Sequence, residues 1–289
     1  MIVEKLTSIL AVVEELEPGA AVVEKAVRLA RRFGAHVELL VADSSQTSAF
    51  ASRCAALGYD NLILFSAHRD EEPLHELIRR RVAVRSPDLV IKPPAGSHAL
   101  RRWALSGNDW HLAYECPVPI LLAGSKAWSD PVRFAAAVDV ADQVSVRFAR
   151  SILHTAGFLA LGCRGHLDVL YSEREELDET VRMQRAVTLG QLVREFHIGS
   201  ERLQMFTGAP EERLAPLIAA REYDVLVLGA MSHRFGLANS LECLSSKLVD
   251  ASKGDVVLVK ANLREPVTAR TEWVTQRAAP LPARAVRPG

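Results

Sequence analysis

Chemistry needs particular side chains at particular spacings, and this chain offers few such combinations. Cys163-Arg164-Gly165-His166 sets a thiol and an imidazole at the spacing of a metal-ligand pair, but two ligands without a second pair are weak evidence for zinc. His68, His75 and His111 fall on separate predicted elements and read as surface or hydrogen-bonded residues rather than catalysts. The doublets Glu71-Glu72, Glu175-Glu176 and Glu211-Glu212 lie near loops or helix starts, where they suit the helix dipole better than acid–base work. Trp110 and Tyr114, one helical turn apart, read as a packing pair rather than a base-stacking platform. No G-x-S-x-G elbow, P-loop, H-E-x-x-H or G-x-G-x-x-G follows a strand. The expectation is a protein that is not an enzyme and has no metal or obligatory cofactor.

Composition narrows the partners. Thirty-five Lys plus Arg balance thirty-five Asp plus Glu, so no global positive field exists to gather nucleic acid or anionic lipid. The 49% hydrophobic and 24% charged residues are those of an ordinary globular chain, and 289 residues suffice for two domains at roughly 100–200 residues each. Cys54, Cys116, Cys163 and Cys243 are far apart with no C-x-x-C, which argues against a disulfide framework and for a reducing, cytoplasmic location. The apolar run Leu6–Val13 is too short to span a bilayer and runs into Glu14, Glu15 and Glu17, so no membrane partner is expected.

These residues must be held by elements, which the periodicity supplies. Strands are predicted at Ile9–Val13, Val37–Val41, Asn61–Phe65, Asp88–Lys92 and Pro119–Ala123. Helical patterns lie between them: Val22 to Phe33 ending at Gly34, Ser44–Leu57, a helix opened by Pro73 with Leu74, Leu77, Ile78 and Val82 inside, and one capped by Asn108 or Asp109. Such alternation implies a parallel sheet covered on both faces. After a linker at Gly124–Pro131 the order begins again. Its strands are Phe134–Val138, Leu167–Tyr171, Leu203–Phe206, Tyr223–Gly229 and Val256–Lys260, and its helices include one with Val144, Phe148, Ile152 and Leu153 as the buried stripe.

Three landmarks recur between the halves. Ala11-Val12-Val13-Glu14 matches Ala136-Ala137-Val138-Asp139, Pro87-Asp88-Leu89-Val90-Ile91 matches Tyr223-Asp224-Val225-Leu226-Val227, and Val118-Pro119-Ile120-Leu121-Leu122 matches Asp255-Val256-Val257-Leu258-Val259. The expected organisation is a diverged domain at residues 1–124, a second at 132–262, and a disordered, mildly basic tail at 263–289.

The segment Tyr223–Lys260, with Val138-Asp139 and Gly208-Ala209-Pro210-Glu211-Glu212, resembles the universal stress protein family in its tandem two-domain form. Asp88–Lys92 and Asn108 through Pro119 are similar to the diverged first domain of that type. The resemblance implies an α/β fold of five-stranded parallel sheets flanked by helices, the adenine nucleotide alpha hydrolase-like arrangement. It also implies pairing through the fifth strands and a cytoplasmic, stress-related role.

Some members of the family bind ATP through G-x-x-G, nine residues, then G-[S/T]. Glycines there let backbone approach phosphate, and the following helix start offers free N–H groups. The corresponding positions here read Gly229-Ala230-Met231-Ser232, nine residues, then Glu242-Cys243. A carboxylate about 5 Å from one phosphate charge costs roughly 3 kcal/mol at an effective dielectric near 20, about two decades of affinity. Glu242 reads instead as a stabilising acid in a first helical turn. The resemblance leaves Asp139, Gly229, Ser232, His233, Arg234 and Cys243 as a degenerate nucleotide site.

In the first half, Lys92-Pro93-Pro94-Ala95-Gly96 stands where the glycines would be, with Glu14 at the acidic strand end. Lys92, His98, Arg101 and Arg102 read there as a solvated surface, with a small anion patch as the alternative. The function expected is a non-catalytic stress-response protein that binds an unidentified protein or small molecule. Its domains would pair intramolecularly, a homodimer being a further assembly. The alternative is an ATP-binding regulator or slow ATPase using the second half.

Overall fold

The computed structural model describes residues 5–66, 73–94, 107–173, 177–221, 223–230, 247–249 and 251–260. In the first half, strands β1 (Ser8–Val13), β2 (His36–Val41), β3 (Leu62–Ser66), β4 (Leu89–Lys92) and β5 (Ile120–Leu122) alternate with helices α1 (Leu16–Phe33), α2 (Thr47–Leu57), α3 (Leu74–Arg85) and α4 (Gly107–Glu115). The second half places β6 (Arg133–Ala137), β7 (His166–Glu173), β8 (Leu203–Thr207), β9 (Val225–Ala230) and β10 (Asp255–Lys260) around α5 (Gln143–Gly162), α6 (Glu179–Glu195) and α7 (Pro210–Arg221). Residues 247–249 are also helical.

The strands form one sheet in the order β3-β2-β1-β4-β5-β10-β9-β6-β7-β8. Read outward from the middle, the two halves have the same order. Every pairing is parallel except the central one, where β5 and β10 run antiparallel with Leu122 opposite Val256, Leu121 opposite Val257 and Ile120 opposite Leu258. The edge-to-edge meeting expected of these two strands is therefore present, and it joins what would be two sheets into one.

Near-continuous apolar strands follow from cover on both faces. Ile9, Ala11 and Val13 of β1 and Val257 and Val259 of β10 point into a core with α1, α2, α5 and α6. Leu10 and Val12, with Val256 and Leu258, point into a second core with α3, α4, α7 and Leu248 and Val249. Local chemistry ends the elements where the sequence suggests. Gly34 closes α1 in the left-handed region with φ 69°, its N–H bonded to the Ala30 carbonyl, and Asp142 caps α5 by accepting from the Ser145 N–H.

Two expectations need correction. Asp109 is not a cap but lies in the first turn of α4, which begins at Gly107. Val144 is 38% exposed, leaving Phe148, Ile152 and Leu153 to form the buried stripe of α5 with other residues.

The landmark aspartates have a mechanical role. Asp88 accepts from the Thr7 and Ser8 backbone N–H groups at 2.7 and 3.1 Å, tethering the start of β4 to that of β1. Asp224 does the same for β9 and β6, accepting from the Arg133 N–H at 2.8 Å and from Ser129. A recurring sequence landmark thus marks a recurring amide clamp at the amino ends of the inner strands.

Candidate functional site

In an open parallel sheet, ligands bind beyond the carboxyl ends of strands, where the strand order reverses. In the second half that place lies between β6 and β9, with Asp139 two residues past one and Gly229 near the end of the other. Asp139 is exposed, and its Oδ1 accepts the Ala141 N–H at 3.0 Å. Ser232, His233, Arg234 and Cys243 lie outside the described residues, as does Glu242.

Gly229 has a packing reason to be glycine. A Cβ there would stand 2.3 Å from the Phe148 ring of α5, so the absence of a side chain lets helix and strand close on each other. Phosphate approach is not needed to account for it.

Sequence reasoning missed the polar groups on the neighbouring strand. Leu167, Val169 and Tyr171 alternate onto the α5 and α6 face, and Glu173 follows in the same alternation. Buried Glu173 pairs through Oε1 with Arg182 Nε of α6 at 2.7 Å, while its buried Oε2 has no hydrogen-bond partner. One turn along α6, Arg185 donates to the Tyr171 hydroxyl at 3.2 Å, and burial pushes that phenol's pKa up. The next strand closes the arrangement: the Gly208 N–H donates to the Glu173 carbonyl at 2.7 Å, and the Ser172 hydroxyl donates to the Gly208 carbonyl at 2.9 Å. This edge therefore presents the exposed Asp139 carboxylate, while Glu173 is buried and the two arginines are already engaged by protein groups. Strict alternation beyond Tyr171 was the signal that would have found Glu173.

The first half offers a different edge. Lys92 does not belong to a solvated surface or an anion patch. It is buried, donating to the Asp109 carboxylate and the Pro93 carbonyl, each at 2.6 Å, and so ties the end of β4 to α4. His98, Arg101 and Arg102 lie outside the described residues. The Cys163-to-His166 run is a helix-to-strand turn, with Arg164 at φ 52° and the Gly165 N–H bonded to the Ala160 carbonyl. Among the described residues no three His, Cys, Asp or Glu side chains gather as for a metal, and no helix is long and apolar enough to cross a membrane.

No family model matches the chain. Among curated proteins it is similar to universal stress protein E homolog of Haemophilus influenzae, 25% identical over 196 residues covering 60% of this chain and 63% of that protein. It is also similar to universal stress protein E of Salmonella typhi, 22% identical over 203 residues, 64% of each. The chain thus spans under two thirds of the length of the curated relatives it matches.

Among solved structures, a Pseudomonas aeruginosa UCBPP-PA14 protein assigned to the universal stress proteins superposes with a TM-score of 0.74 at 23% identity, over 88% of this chain and 93% of that one. A universal stress protein of Archaeoglobus fulgidus superposes at 0.63 with 14% identity, over 90% and 98%. These structures share the fold, and over part of its length the chain is similar in sequence to universal stress proteins E.

Proposed function

We propose that this is a non-catalytic, cytoplasmic stress-response protein that acts by binding a small ligand or partner. Its two tandem domains, residues 1–124 and 132–262 followed by a tail at 263–289, pack as a pseudo-dimer through β5 and β10. The binding place is the carboxyl edge of the second domain, a degenerate form of the ATP site that some relatives use.

The observation that carries this reading is the use of Gly229. The one glycine retained from the phosphate pattern is occupied by packing against Phe148. Exposed Asp139 favours a ligand that presents hydrogen-bond donors, hydroxyl or amino groups, over one that presents a triphosphate.

Titration calorimetry of the parent and of Glu242→Gly with ATP and magnesium tests the reading. The parent gives no saturable heat, and removing the carboxylate raises ATP affinity. Tight binding of ATP by the unmodified chain overturns it in favour of a nucleotide-regulated protein.

A further inference from the structure

The strand order of the first half reverses between β1 and β4, and the helices that follow these two strands leave to opposite faces, α1 into one core and α4 into the other. In an open parallel sheet such a crevice takes a ligand, with an anionic group held at the start of the helix after the strand.

Here two buried charges stand at that place. Leu89 and Ile91 point into the α1 core and Val90 into the α4 core, so alternation puts Lys92 on the α4 side of the sheet. Its ammonium, at the carboxyl end of β4, donates to the Asp109 carboxylate at 2.6 Å, and the two side chains are 5% and 2% exposed. Asp109 lies in the first turn of α4, where the helix dipole favours a negative charge. The Pro93 carbonyl takes another ammonium hydrogen at 2.6 Å, which anchors Lys92 to its own strand end. A buried cation beside a helix start has the parts of an oxyanion site, except that the carboxylate held there belongs to the chain.

The repeat shows that the fold does not require this pair. Aligning Asp88 with Asp224 sets Leu228, buried and apolar, opposite Lys92, and Gly229 opposite Pro93. A buried ion pair contributes little over well-packed apolar residues, so stability alone does not account for it either.

We propose that the first half carries a closed anion site, in which the Asp109 carboxylate takes, from within the chain, the place of a small oxyanion and Lys92 holds it there. The contact is autoinhibitory: it keeps an external anion out of this half. Assigning the ligand to the second half rests on the function proposed above, whereas the closed site does not.

Chemical rescue on the full chain tests it. Asp109→Ala removes the carboxylate and leaves room for formate, the smallest carboxylate. In sodium chloride its thermal midpoint falls by roughly 10 °C from the parent's, because Lys92 is left buried without its counter-charge. Replacing chloride with formate at the same ionic strength recovers most of that fall, saturably, and leaves the parent's midpoint where it was. Lys92→Met with Asp109→Ala, which has no cation to satisfy, shows no response to formate. Should Asp109→Ala not fold in chloride, the yield of soluble chain on refolding is read instead, and it rises with formate and not with chloride. An Asp109→Ala chain as stable as the parent, one that gains no more from formate than from chloride, or a parent or double variant that gains as much as the single variant overturns the proposal.

Discussion

The Cys163 thiol shows how burial decides chemistry at one residue. It sits at the end of α5, 2% exposed, and burial pushes its pKa up to about 11 from 9.0, against the opposing pull of Arg28 and Arg32. A metal ligand or nucleophile needs the thiolate, which this site disfavours. The effect has a sign in stability. Between about pH 9 and 11 the unfolded chain has lost this proton and the folded chain has kept it, so stability falls as pH rises through that window, by about 2–3 kcal/mol at its upper end. Urea denaturation at intervals from pH 8 to the alkaline limit should show Cys163→Ala losing less stability than the parent, although the variant begins somewhat lower for lost packing. Parallel curves would mean that the thiol is ionised equally in both states.

Between elements, the contact that matters most for the candidate site is β9 against α5. Gly229→Ala drives a methyl into the Phe148 ring, and overpacking of this kind costs about 1–3 kcal/mol. Phe148→Leu in the same background should recover part of it, as a double-mutant cycle in urea would read. If Gly229→Ala keeps parental stability, the glycine answers to a ligand and not to the helix.

The same pair shows what was legible beforehand. Phe148 declared itself through helical periodicity and Gly229 through the family pattern, yet nothing in either sequence segment says that one excludes a side chain on the other. Asp88 and Asp224 recur visibly because each clamps the same two strand ends. Lys92 misled, since a lysine at a strand end beside prolines resembles a solvated charge. Its partner Asp109 arrives from a helix whose approach only the fold determines. Glu173 was hidden for the same reason, its partner Arg182 being brought by α6.

At the scale of the molecule, the seam joins two similar halves into one sheet. Lys25 of α1 reaches across to Asp255 at the start of β10 at 2.7 Å, and both are buried. Asp255 also accepts from the Gly124 N–H at 2.9 Å and the Trp128 indole N–H at 2.7 Å, so one carboxylate gathers a helix, a strand and the connecting segment. Arg28 adds bonds to the Trp128 and Ser129 carbonyls, each at 3.2 Å, and Phe33 of α1 stacks on Phe158 of α5 with ring centroids 4.9 Å apart. Burial drives the Lys25 pKa down and the Asp255 pKa up, while their mutual attraction opposes both shifts. Such a pair contributes little beyond an apolar replacement, but breaking one partner leaves a buried charge and costs about 3–5 kcal/mol.

Lys25→Met should therefore destabilise the chain by that amount, and Lys25→Met with Asp255→Asn should regain much of it, because the stranded charge is gone. Scanning calorimetry supplies the larger test. The parent unfolds in one transition whose calorimetric and van't Hoff enthalpies agree, and Lys25→Met separates it toward two. Two transitions in the parent, unchanged by the variant, would mean that the halves fold independently and that the β5–β10 ladder holds together domains already complete.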